Sequence, residues 1–250
     1  MKTTLIFLFA CLLAFGFKPV NGQDLIQITP DIQLLKISDG FYIHQSYTNS
    51  EQYGRFSSNG LLVIKNGKAL MIDTPVTNEE TKTISDFLKD SLGVKLTTFI
   101  GGHSHSDCIG GMGYLNNRGV RTILNSKTKQ ICIEQHLPLP VETFDNELKL
   151  KFENIDVECR YFGGGHSVDN IVVYFPGQQI LFGGCLIKTM QSRNLGNTAD
   201  AVISEWDNTV QKVIDAYPDC KLVVPGHGNY GSSKLLTHTI DLVKAHKVQH

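Results

Sequence analysis

Ile100-Gly101-Gly102-His103-Ser104-His105-Ser106-Asp107 is the stretch that most narrows what this chain can fold into. It sets three good metal ligands, His103, His105 and Asp107, at i, i+2 and i+4. An extended backbone, with its side-chain period of two, sends all three to one side, whereas a helix would send the first two apart. The preceding run, residues 94–100, reads as a buried strand, so the ligands follow a strand end. A related order of strand, glycine and ligand returns three times. Arg160-Tyr161-Phe162 passes through Gly163-Gly164-Gly165 to His166, and Ile180-Leu181-Phe182 through Gly183-Gly184 to Cys185. Leu222-Val223-Val224-Pro225 passes through Gly226 to His227. Glycine at such points permits turns and close backbone approach. Four strand ends would then deliver ligands to one rim.

The donors differ in kind. His103, His105 and His166 supply three imidazoles; Asp107, Cys185 and His227 supply a carboxylate, a thiolate and an imidazole. Six donors exceed one tetrahedral zinc but suit two zinc ions that each keep an open position. Two adjacent ions can activate water at neutral pH and stabilise a leaving group. Closed structural sites commonly use four thiols or paired Cys-x-x-Cys motifs, which the sequence lacks. Any one of these histidines alone would read as a satisfied loop or core residue. It is the set, at glycine-lined strand ends, that argues for metal. His44, His136, His238, His246 and His250 lack that context and read as structural or exposed.

Around these motifs the pattern is mixed. Residues 32–37 and 40–48 read as strands, and 60–64 with 69–73 as a hairpin around Asn66-Gly67. Thr77-Asn78-Glu79-Glu80 is a capping box, followed by Ile84, Phe87, Leu88 and Leu92 at helical spacing. A short helix is expected near 111–117, a strand at 120–124 and a helix at 127–136. A strand-rich stretch from 147 to 182 turns at Pro176-Gly177. A helix near 201–217, a strand at 221–224 and a helix near 233–246 close the chain. The order is strand-rich then mixed, twice. That predicts an α/β fold of two sheets packed face to face with helices outside, as two αβ halves of a single domain, 23–250, joined near 137–141.

A formal net charge of −1 and the lack of any basic run give no sign of a nucleic-acid partner. Residues 1–22 read as a signal peptide: Met1-Lys2, an apolar centre from Leu5 to Phe17, and Val20-Asn21-Gly22 before Gln23. That centre is too short for a good membrane span. Leu8-Phe9-Ala10-Cys11 only loosely resembles a lipobox. The expectation is a periplasmic monomer with no membrane span. Loss of Cys11 with the signal leaves Cys108, Cys132, Cys159, Cys185 and Cys220, an odd number in a chain too large to need a disulfide scaffold. A metal thiolate is a good reason to keep a free cysteine there; Cys132, Cys159 and Cys220 read as inert structural thiols.

Four signatures carry a family resemblance: His103-Ser104-His105-Ser106-Asp107, Gly165-His166-Ser167-Val168-Asp169-Asn170, Gly184-Cys185-Leu186-Ile187-Lys188 and Pro225-Gly226-His227-Gly228. They resemble the metallo-β-lactamase superfamily, specifically the β-lactamase subclass with a three-histidine site and an Asp-Cys-His site. The likeness runs over essentially the whole mature chain, and Cys185 with Lys188 is its specific part. A lactone or thioester hydrolase of the same superfamily would resemble the branches with a bridging aspartate where this chain has Cys185. A zinc-storage protein would close its coordination rather than leave two open triads.

The resemblance implies a four-layer αβ/βα sandwich with metals along one edge of the sheets. It implies zinc-dependent hydrolysis of the β-lactam amide bond of penicillins, cephalosporins and carbapenems, hence antibiotic resistance, with no covalent acyl-enzyme. It implies two Zn2+ ions, one on His103, His105 and His166 and one on Asp107, Cys185 and His227. Asp107 would also handle the departing nitrogen. Lys188 would pair with the carboxylate of the β-lactam substrate, and Asn197 would bind and polarise its carbonyl; the plain alternatives are a surface lysine and a turn asparagine. Asp73 resembles the family's supporting aspartate. Residues 47–58 match a flap, in which Tyr53 and Phe56 either cover an apolar ligand face or plug the loop base. Two positions depart from the pattern: Gly102 stands where threonine is common, and Cys108 where a basic residue is common. In an extended loop Cys108 would point away from the ligand face, either as a reactive thiol beside the site or as an inert buried one.

Overall fold

The computed structural model describes residues 25–51 and 54–249; the signal segment 1–22, Tyr53 and His250 lie outside the described residues. The first half of the chain runs β1 (Leu25–Thr29), β2 (Ile32–Ser38), β3 (Phe41–Ser50), β4 (Gly54–Lys65), β5 (Lys68–Ile72), α1 (Asn78–Leu92), β6 (Lys95–Ile100), α2 (Ser106–Ile109), α3 (Met112–Asn117), β7 (Arg121–Asn125), α4 (Ser126–Glu134) and β8 (Glu142–Phe144). The second runs β9 (Glu147–Phe152), β10 (Ile155–Arg160), β11 (Val172–Phe175), β12 (Ile180–Gly184), α5 (Ile203–Ala216), β13 (Leu222–Pro225) and α6 (Lys234–Gln249). Strands β1 to β8 form one sheet in sequence order, and β9 to β13 form a second. The chain passes between sheets at Asp145-Asn146, a little after the 137–141 stretch, which instead connects α4 to β8.

Period-two alternation builds the layers. Leu61 and Val63 of β4, with Leu70 and Ile72 of β5, face Val173 and Phe175 of β11 in a core between the sheets. Their neighbours Leu62, Ala69 and Met71 face outward onto Ile84 and Leu88 of α1. Val172 and Tyr174 turn the other way, onto Trp206, Val210 and Val213 of α5 and Leu236 and Ile240 of α6. The result is helices, sheet, sheet, helices: an α/β sandwich. Strands buried on both faces carry near-continuous apolar runs, so the sequence shows them plainly. The edge strands β1 and β8 escape that reading. β1 alternates between exposed and half-buried residues, and β8 is three residues long, too short to show a period.

Helix α1 begins as its capping box requires, with Thr77 Oγ1 accepting the Glu80 N–H and Glu80 accepting the Thr77 N–H. What matters most for the site is strand direction. β5 and β6 pair in parallel, as do β12 and β13. Their C-terminal ends therefore lie side by side, and these ends carry Asp73, the His103–Asp107 loop, Cys185 and His227.

Phe175 is fully buried between the sheets, edge-on to Phe41 with ring centroids 5.0 Å apart. Phe175→Ala should cost about 3–5 kcal/mol through lost burial and a cavity. Urea unfolding should show a lower midpoint at unchanged slope, and an unshifted midpoint would mean that the facing sheets are not packed through this residue.

Candidate metal centre

Three imidazoles converge at the rim. His103, His105 and His166 each bring a nitrogen to within 4.8 Å of the other two. His166 Nε2 is 3.2 Å from His105 Nδ1. His103 Nε2 is buried with no hydrogen-bond partner among the described residues. A buried polar atom without a partner is costly, and nitrogens aimed at a common point are reconciled by a cation between them. His105 is turned by Asp200, whose Oδ2 lies 2.9 Å from Nε2, which leaves Nδ1 facing inward. Burial, with His103 and Lys188 nearby, keeps His166 neutral.

Beside them sits a charged trio. Cys185 Sγ lies 3.6 Å from Asp107 Oδ2 and 3.4 Å from His227 Nε2, and the latter two atoms are 3.3 Å apart. His227 Nδ1 donates to the Ser57 carbonyl at 2.8 Å, so Nε2 must face its neighbours. Contact with the Cys108 thiol holds the Cys185 thiol well down, against the effect of burial. Burial pushes Asp107 up, but the His227 imidazole outweighs it and keeps a carboxylate. His227 is lowered by burial yet held well above its usual value by Cys185 and Asp107. These shifts favour a thiolate and a carboxylate against a single imidazolium, so negative charge is in excess and a dication fits the place better than a proton does.

The loop bearing these ligands is not extended throughout. After His105 the chain makes one helical turn, α2, with the Cys108 and Ile109 N–H groups both donating to the His105 carbonyl, at 3.0 and 3.1 Å. Satisfying those amides outweighs continued extension, and the turn swings Cys108 inward. The expectation that Cys108 points away is therefore wrong. Its Sγ lies 3.1 Å from Asp73 Oδ2 and 3.1 Å from His103 Nδ1, and it joins His103, Asp107 and Cys185 in one group. Burial pushes its thiol well up, and the contact with Cys185 and the charges of Asp73 and Asp107 add to the shift.

Residues 53–227 match the profile of the metallo-β-lactamase superfamily. The chain belongs to that family. A metallo-β-lactamase type 2 of Bacteroides fragilis is 41% identical over 224 residues, covering 90% of each chain. The solved metallo-β-lactamase of Pontibacter korlensis has a TM-score of 0.82 at 36% identity, covering 85% of this chain and 99% of that one. FIM-1 of Pseudomonas aeruginosa, solved in a mono-zinc form, has a TM-score of 0.82 at 28% identity, over 89% and 100%.

Within this metallo-β-lactamase fold, Asp73 ties the ligand loop to β5. Its carboxylate accepts the Gly102 N–H at 2.6 Å and the Cys108 S–H at 3.1 Å. A Cβ on residue 102 would come within 2.9 Å of Asp73 Oδ1, so glycine admits this approach and no threonine hydroxyl is needed. At Gly226 a Cβ would lie 2.4 Å from Cys185 Sγ, so glycine there lets β13 close on the thiol. Sequence reasoning missed two supports. Asn59 donates to the carbonyls of Pro225 and Gly228, at 2.9 and 2.7 Å, and fixes the loop of His227. Asp200 orients His105. Both act across long sequence separations, and neither carries a local signal.

A cavity of about 950 Å³ opens over the rim, lined by His105, Asp107, His166 and His227 among others. Phe56 lines it too, 6.0 Å from the His227 ring. Asn197 is exposed at the edge, with its Oδ1 accepting the Ala199 N–H at 3.1 Å. Lys188 lies apart from the main cavity, in a side recess of about 180 Å³ with Ser192, Asn194 and His227. Its ammonium is 5.2 Å from the Trp206 ring, and burial lowers its pKa.

His44, buried, holds the Asp73 carbonyl through Nε2 at 2.9 Å. Burial lowers its pKa from 6.5 to about 4. The folded state therefore prefers the neutral ring, and its contribution is intact above the unfolded value and lost as pH falls toward the folded one. For metal-free protein this predicts a loss of about 2–3 kcal/mol between about pH 7 and about pH 4.5. The pH-dependent part of that loss should shrink by this amount in His44→Gln, measured by denaturant unfolding at both pH values. An equal loss in both proteins would show that His44 does not couple folding to pH.

Proposed function

We propose that this chain is a two-zinc β-lactamase, with one ion on His103, His105 and His166 and the other on Asp107, Cys185 and His227. The observation that carries the reading is the pairing of a three-imidazole group with an anionic group on the rim of one open cavity. Zinc held there supplies Lewis acidity toward an amide carbonyl and activates water at neutral pH. The chain's own residues bind, aim and shield. The recess around Lys188 takes the substrate carboxylate, because an ammonium already short of water gains most from an anionic partner. Asn197, which follows the Gly196 shared by the recess and the cavity, presents its amide N–H to the lactam carbonyl. Asp107, which lines the cavity, relays a proton from solvent water to the departing nitrogen. Phe56 and Ser57 of β4, which line the cavity, limit water above the bound ring.

The substrates are penicillins, cephalosporins and carbapenems, giving antibiotic resistance. A cavity of about 950 Å³, with an apolar wall at Val76, Ile109, Leu137 and Pro138, is large enough for their differing substituents. Export to the periplasm rests on the signal-peptide pattern of residues 1–22 and places the enzyme where such drugs pass.

Dialysis against a strong chelator should abolish lactam turnover and zinc should restore it, while serine-directed inhibitors have no effect. Full turnover by protein verified as metal-free would refute the reading. Lys188→Glu should raise KM for carboxylate-bearing lactams by roughly 10- to 100-fold, the loss of a charge-assisted contact of about 1.5–3 kcal/mol. Lys188→Ala should raise it less, with kcat changing little in either variant. Unchanged steady-state kinetics in both would leave Lys188 only a packing role on Trp206.

A further inference from the structure

The thiols of Cys108 and Cys185 reach the centre from different halves of the fold, one from α2 and the other just after β12. Their Sγ atoms lie within 4.8 Å of each other, and a disulfide bond measures about 2.05 Å, so at most about 2.8 Å of closure separates them. Both are buried and free. Their neighbours differ. Cys185 sits against Asp107 and His227, which line the open cavity, whereas Cys108 sits behind it against Asp73 and His103. A small oxidant entering the cavity therefore meets Cys185 first and finds Cys108 next to it.

We propose that Cys108 and Cys185 form an intramolecular disulfide site that closes in the metal-free protein under a small peroxide. The chemistry balances in two steps. The Cys185 thiol takes one oxygen from hydrogen peroxide, giving a sulfenic acid and releasing water. The Cys108 sulfur then attacks the Cys185 sulfur; the hydroxyl departs and leaves with the Cys108 proton as a second water. Sulfur is oxidised, peroxide is reduced, and the protein loses two hydrogens. A cysteine resolved by a neighbouring thiol is spared further oxidation. The bond would remove a donor from the Asp107-Cys185-His227 group and tie the two halves together, and thiol reductant would reverse it. Protection by zinc rests on the ligand assignment proposed above; the bond itself does not.

The test uses the whole chain, freed of metal and exposed to hydrogen peroxide near neutral pH. Remaining thiols are then alkylated under denaturing conditions and the protein is mapped by mass spectrometry. The expected result is loss of two hydrogens, two fewer alkylated cysteines, and one linked peptide pair containing Cys108 and Cys185, absent after reductant. In Cys108→Ser the linked pair should vanish and Cys185 should instead accumulate added oxygens. Sulfinic acid at Cys185 in the parent without a linked pair, or a link between other cysteines, would overturn the proposal. Zinc added before peroxide should suppress the link. If the link forms equally with zinc present, the bond stands and the assignment of Cys185 as a ligand falls.

Discussion

The buried carboxylate of Asp73 holds the centre together. It accepts the Gly102 N–H at 2.6 Å, so the end of β5 fixes the backbone just before His103. Its second oxygen takes the Cys108 thiol, fixing the far end of the same loop, and its own carbonyl is held by His44 from β3. Burial pushes the Asp73 carboxyl well up, the Cys108 and Gly102 bonds oppose that shift, and the charges of Cys185 and Asp107 add to it. A cation among those anions would relieve the repulsion as well as bind the ligands. Support and metal site are thus one electrostatic unit, and weakening Asp73 would loosen both ends of the ligand loop together.

The two donor groups differ for reasons that lie in the fold. His166 sits deep against Trp206, with ring centroids 5.9 Å apart, and burial favours a neutral imidazole there. The trio of Asp107, Cys185 and His227 instead gathers opposite charges whose mutual attraction outweighs burial at two of its members. Neutral donors on one side and anionic donors on the other, facing one cavity, give two positions of unequal charge. That asymmetry suits a reaction in which an amide carbonyl gains negative charge while a nitrogen departs.

Much of this was legible in the chain itself, and the reasons are local. The run from His103 to Asp107, and glycine before His166, Cys185 and His227, are short patterns that strand geometry makes meaningful. Alternating or continuous apolar runs marked β4, β5, β11 and β12 because one or both of their faces are buried. The turn at Ser106–Ile109 was not legible. An extended chain and a single helical turn cost nearly the same in so short a segment, and the choice depends on where the His105 carbonyl finds its donors. Cys108 therefore moved from the outside of the loop to the inside. Asn59 and Asp200 were invisible for a different reason, since each acts on a loop distant in sequence.

The central claim is that two groups of ligands, one with sulfur and one without, share this rim. Native mass spectrometry of the zinc-loaded protein, read with the zinc X-ray absorption spectrum of the same sample, tests it most directly. The account predicts two zinc ions per chain and, averaged over them, half a sulfur neighbour per zinc at about 2.3 Å, with nitrogen and oxygen otherwise. A zinc-saturated chain that carries one ion, or two ions with no sulfur neighbour, would contradict it.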